Sequence, residues 1–228
     1  MYFLLPLSKQ TDYGFGFTAG QFMDAANLVI EKDTSDDLSM PINYLLRHSI
    51  ELYLKSFIII LTKFKDLGDV GGAFDVNSIC IGKVTISNCH NISALYNEFK
   101  MILSLVEKEL PSKGDWDIPH EVERYVNLIN GHDSKSDLFR YPITNNMNAD
   151  EKKNKVRTIS ADKAISAVNR DGGKPVKCFM LLGHDDDILE VYDINTNVQP
   201  DVRKALINLS EFMYNFHAML RFVVCKGF

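Results

Sequence analysis

Long apolar runs are what this sequence most plainly lacks. Outside the opening segment no run is longer than that from Phe57 to Leu61, far short of the roughly 20 residues a membrane-spanning helix needs, so no membrane segment is expected. The opening Met1-Tyr-Phe-Leu-Leu-Pro-Leu is apolar but brief. It has no basic leader or small-residue cleavage site, and Lys9 ends it, so it is not read as a signal peptide. Cysteine is scarce as well: Cys80, Cys89, Cys178 and Cys225 form no CxxC pair. A disulfide framework is therefore not expected, and the thiols read as reduced, in a cytoplasmic protein. Basic charge is also short, with 25 Lys and Arg against 30 Asp and Glu, a net charge of −5. That balance excludes a protein that grips duplex nucleic acid by bulk electrostatics, so any nucleic-acid contact must be local. GxxxxGK[ST], a strand-linked GxGxxG, GxSxG, HExxH and the EF-hand spacing are all missing. ATPase, dinucleotide oxidoreductase and α/β-hydrolase readings fall away, and neither cofactor nor metal is expected.

What remains is ordinary globular material, 46% hydrophobic and 24% charged, enough for one large core. Apolar residues at helical spacing predict a helix from Thr18 to the acidic turn at Asp33, behind a break at Gly14 and Gly16. The segment from Pro41 to Leu61 is apolar around most of its circumference, which places it at the centre of a bundle. Asn91 as N-cap opens a helix running toward Pro111, and Pro119 opens another that ends near Gly131. A last helix follows Pro200, with its stripe at Val202, Leu206, Leu209, Met213, Phe216, Leu220 and Val223. Two β-hairpins are expected, one around Gly82-Lys83 and one joining Val176–Leu182 to Ile188–Tyr192. Between them lies a polar stretch with a basic cluster, Lys152 to Arg157, and a short helix near Ala161 to Val168. The fold class is thus mainly α: one domain of about five helices over 1–228, with insertions at 66–89 and 143–195.

The central helix has one polar arc. Arg47, His48, Glu51 and Lys55 fall on one face, because separations of three, four and seven residues stack. As a site, His48 would move protons with Glu51 orienting it, while Arg47 or Lys55 holds a phosphate. As plain structure, Arg47–Glu51 and Glu51–Lys55 are i,i+4 ion pairs, and the residues alone favour this second account. Arg140, between Phe139 and Tyr141 and just before Pro142, has an extended backbone and aromatic neighbours that would orient its guanidinium toward an anion. Its structural counterpart is an Arg that pairs with Glu51 to close the bundle. Asp185 to Asp187, with His184 and Asp193, reads as a solvated turn rather than a metal site. Cys80, Cys89 and His90 lack a fourth ligand at zinc spacing, and His217 reads as a core histidine.

Leu45-Leu-Arg-His-Ser-Ile-Glu-Leu-Tyr-Leu-Lys55, His90-Asn-Ile-Ser-Ala-Leu95 and Phe139-Arg-Tyr-Pro142, in that order, resemble the HEPN superfamily of bacteria and their phages. The likeness spans roughly residues 18 to 142 and rests on an RHxxELxLK helix and an FRYP segment. It implies a HEPN-like bundle of four or five helices, commonly a homodimer, in toxin–antitoxin, abortive-infection or other defence modules. Active members are metal-independent ribonucleases that use an Arg and a His a few residues apart. This chain has no such pair; Arg124 and His132 come nearest, one position too far. The resemblance therefore implies a module that binds RNA, a nucleotide or a partner protein such as an antitoxin, without the standard nuclease motif. Its ligand contacts would come from Arg47, Lys55 and Tyr141. The alternative is a metal-independent endoribonuclease toxin with His48, Glu51 and Arg140 as catalytic residues. A purely structural subunit is the third reading, and the residues leave open whether the chain is an enzyme.

Overall fold

The computed structural model describes residues 5–33, 38–68, 70–72, 74–160, 162, 163, 166, 178–194 and 199–226. In chain order the elements are α1 (Phe15–Lys32), α2 (Ser39–Leu67), β1 (Cys80–Ile81), β2 (Val84–Thr85), α3 (Ile92–Val106), α4 (His120–His132), α5 (Met147–Lys153), β3 (Val156–Ile159), β4 (Cys178–Leu182), β5 (Ile188–Ile194) and α6 (Pro200–Val223). The protein is mainly helical. It divides into two compact units, Met1–Tyr141 with Asp201–Phe228, and Pro142–Pro200. The sequence reading counted the second of these as decoration of a single domain. No described helix is long and apolar enough to cross a membrane.

The helical unit is organised around α2, which is buried along almost its whole length. Its apolar residues supply a wall on every side, so the helix has no solvent stripe to speak of. Phe57 of α2, Phe99 of α3 and Phe216 of α6 meet with ring centroids 5.1–5.2 Å apart. This three-ring contact ties three distant stretches of chain into one core, in the tilted and edge-on geometries that aromatic quadrupoles favour. Small residues of α1, Gly16, Ala19 and Ala26, are buried, and Ser49 Oγ of α2 donates to Ala19 O at 2.8 Å.

Helix α1 starts three residues earlier than its apolar spacing predicts. The Asp12 carboxylate accepts from Gly14 N at 3.1 Å and Gly16 N at 2.9 Å, satisfying donors that a helix start leaves open. Gly14 makes the turn with φ 85°; Gly16, expected as a breaker, lies inside the helix. Asn91 caps α3 as expected, its side chain accepting from Ala94 N at 2.8 Å. Gly131 does not end α4, which continues to His132 and stops at Asp133.

The first hairpin is present but minimal. Cys80 pairs with Thr85 and Ile81 with Val84, and Gly82 takes φ 62° while Lys83 keeps a negative φ, as a turn with glycine first requires. Just before the hairpin, Val76–Ser78 forms a 3₁₀ turn capped by Asp75, which accepts from Asn77 N at 2.9 Å. In the second unit, β4 and β5 form the expected antiparallel hairpin, and β3 adds to the far edge of β5 in the order β3-β5-β4. Strand β3 falls within the stretch read as polar loop, since Val156 and Ile159 gain their meaning only from pairing with Ile194 and Val191. The basic cluster is split by this arrangement: Lys153 is buried against Asp150 at 2.5 Å, at the end of α5. The helix expected at Ala161 to Val168 lies largely outside the described residues.

Candidate functional site

The polar arc of α2 is a closed ionic network. Arg47, Glu51 and Lys55 are all buried. Glu51 Oε2 accepts from Arg47 Nη1 at 3.0 Å, and Glu51 Oε1 accepts from Lys55 Nζ at 3.0 Å. Arg47 also reaches beyond its own helix, donating through Nη2 to His90 O at 2.6 Å and Asp133 O at 3.3 Å. Its Nε lies 2.9 Å from Asp133 Oδ2. Asp133 Oδ1 accepts from Asp137 N and Leu138 N, and Lys55 Nζ donates to Ser87 O at 3.1 Å. Two cations and two carboxylates thus balance in the interior and pin the segments before α3 and after α4 to α2. Burial pushes the Glu51 carboxyl up, but Lys55 and Arg47 outweigh it and hold it below the usual glutamate range.

Glu51 turns its oxygens to partners other than His48. Its Oε1 faces His90, whose Nδ1 is 2.9 Å away. The His48 ring instead stacks on Tyr44 at 5.8 Å and meets Phe22 edge-on at 4.5 Å. His48 Nδ1 is buried and has no hydrogen-bond partner among the described residues. Burial depresses His48 below the usual histidine range; Glu51 opposes this, and Arg140, Lys55 and Arg47 add to the depression. Its ring is accordingly neutral at pH 7.

Arg140 approaches the same helix at the surface, through Tyr44 rather than through Glu51. Its guanidinium carbon lies 5.4 Å from the Tyr44 ring centroid and 6.0 Å from that of Tyr141, and Arg140 and Tyr141 are both exposed. Burial pulls Arg140 down, but Tyr141 and Tyr44 together more than reverse it, so the guanidinium stays charged. The six candidate residues therefore sort into two places. Arg47, Glu51 and Lys55 lie in the buried network, where their charges are engaged; His48, Arg140 and Tyr141 gather around Tyr44 at the surface. The grouping of His48, Glu51 and Arg140 in one catalytic set does not match this geometry, because Glu51 turns to the other histidine. Tyr44 went unnoticed in the sequence, although its place one turn before His48 puts the two rings on one face.

A second buried cluster lay outside the sequence-based candidates. Asp12 Oδ2 accepts from Ser56 Oγ at 2.6 Å and lies 3.4 Å from His217 Nε2. Burial pushes the Asp12 carboxyl up, but His217, Ser56 and the Gly16 N–H hold it well below the usual aspartate range. Lys63 Nζ donates to Thr11 O at 2.9 Å and lies over the Tyr13 ring; burial depresses its ammonium. Asp-x-Gly-x-Gly at 12–16 is a capping signal, but its partners are 44 or more positions away, beyond what local spacing can reveal. No group of three or more His, Cys, Asp or Glu suited to a metal ion occurs among the described residues. All four cysteines are free.

Comparison of the chain with protein-family models, curated proteins and solved structures finds no match.

Proposed function

We propose that this chain is a HEPN-like helical module that binds single-stranded RNA or a nucleotide at the Tyr44–His48–Arg140–Tyr141 surface, and that it is not a ribonuclease of the usual type. The observation that carries the reading is the Arg140 guanidinium resting over two tyrosine rings beside a third flat ring, His48. A held, permanently charged guanidinium suits a phosphate, and the exposed ring of Tyr141 suits an unpaired base. The net charge of −5 fits a short local contact better than a long electrostatic groove. Against a ribonuclease built on Glu51 and Arg47 stands the engagement of both groups in the buried network. A setting in bacterial or phage defence, with an antitoxin or other partner protein, belongs to the same reading.

The test is fluorescence anisotropy with a labelled short oligoribonucleotide, single-stranded and then annealed to its complement. Binding is expected only for the single strand. Tyr141→Ala should weaken it by about 1–3 kcal/mol, the usual worth of one stacked base. Arg140→Ala should weaken it and also flatten the salt dependence. Equal affinity for the duplex, or no loss in either variant, would overturn the assignment.

A further inference from the structure

His90 is the one member of the ionic network that reaches solvent. It stands immediately before Asn91, the N-cap of α3, with its side chain 46% exposed against 1% for Glu51. The ring is fixed from two sides. Its backbone carbonyl accepts from Arg47 Nη2 at 2.6 Å, and its Nδ1 lies 2.9 Å from Glu51 Oε1. An ionised carboxylate can only accept, so Nδ1 carries the proton of the neutral ring and donates it to Glu51. The lone pair is then on Nε2, at the edge of the ring turned away from the buried carboxylate. Neither the tyrosine–arginine surface nor the packing of α2 makes use of this nitrogen.

We propose that His90 Nε2 is a covalent acceptor for a phosphoryl group delivered by a small activated donor. The Nε2 lone pair attacks phosphorus, the N–P bond forms, and the donor's bond to its leaving group breaks. With phosphoramidate as donor, the bond broken is P–N, and ammonia leaves with the protons its nitrogen already carries. The ring keeps its Nδ1 proton throughout and so gains positive charge as Nε2 becomes bonded. That charge develops 2.9 Å from the Glu51 carboxylate, which is the stabilisation an oriented dyad gives a histidine nucleophile. Phosphoryl is the group that fits, because N-acylimidazoles hydrolyse quickly in water whereas N-phosphorylimidazoles persist. Attachment is confined to Nε2, since Nδ1 is closed against Glu51.

The chain contains its own control. His120 is 89% exposed, and its carboxylate partner Glu121, 3.2 Å away, is itself 45% exposed, so solvent screens the pair. The full chain is incubated with potassium phosphoramidate, sites are followed over time by peptide mass spectrometry, and the bonded nitrogen is read by phosphorus NMR. His90 should be modified severalfold faster than His120, because a buried carboxylate fixes its ring with Nε2 outward while the partner of His120 is itself exposed, and at Nε2. Glu51→Gln should erase that advantage and leave His120 unchanged. If this variant does not fold, the competition between the two histidines in the wild-type chain still decides. His90 keeping pace with or trailing His120, or a phosphoryl group on Nδ1, would overturn the proposal.

Discussion

Glu51 serves three partners with two oxygens, and its replacement shows how much of the helical unit depends on one side chain. Glu51→Gln keeps the shape but leaves Arg47 and Lys55 buried with one carboxylate, Asp133, between them. Removing one partner of a buried pair costs about 3–5 kcal/mol, because the remaining charge is left uncompensated. A urea titration should show that loss as a lower midpoint with an unchanged slope. The pH dependence follows from the same residue and from Asp12. Both carboxyls are held below their ordinary values in the fold. The stability they contribute is therefore fully present above the unfolded carboxylate range, about pH 4, and is lost as pH falls through that range toward the depressed folded values. Urea midpoints should fall gently from pH 7 to 5, where His48 takes up its proton more readily in the unfolded chain than in the fold, and steeply below about 4, where the two carboxyls act. A midpoint that stayed flat down to about pH 3 would overturn this account.

At the scale of elements, the tightest constraint is the approach of α6 to the start of α1. A Cβ built on Gly16 would fall 1.9 Å from His217 Nε2, on a ring that also packs 5.3 Å from Tyr53. Neither the ring nor α1 has room to yield without disturbing the Asp12 cap. Gly16→Ala should destabilise by about 1–3 kcal/mol, the cost of overpacking a core. This is opposite in sign to the usual gain from replacing a glycine within a helix. Thermal melts of Gly16→Ala beside Gly20→Ala separate the two effects, because a Cβ at Gly20 meets only Tyr53 Oη at 3.5 Å. Helix existence was legible from apolar spacing for α1 to α4 and for α6. The early start of α1 was not, since the cap that sets it is closed by Ser56 and His217 from α2 and α6. Strand β3 was invisible for a similar reason: a strand is stabilised by its neighbour, and that neighbour lies more than thirty positions away.

On the scale of the whole molecule, α6 turns Tyr214 and Phe222 outward, with Phe222 78% exposed. We propose that this side of α6 pairs with a second copy of the chain. Light scattering at micromolar concentration should then give twice the chain mass, and Phe222→Glu should return it to the single-chain mass. A single-chain mass for the wild type would overturn this pairing. The sequence by itself determined the mainly helical class, the central place of α2 and the clustering of Arg47, His48, Glu51 and Lys55 on one arc, because helical periodicity is a local property. It could not say which of those groups would be consumed in the interior. Only the tertiary structure decided that Glu51 turns to His90, that Arg47 binds Asp133, and that Arg140 comes to rest on Tyr44. Those choices depend on which loops fold back over α2, and the hydrogen-bonding demands of buried charges settle them once the chain is closed.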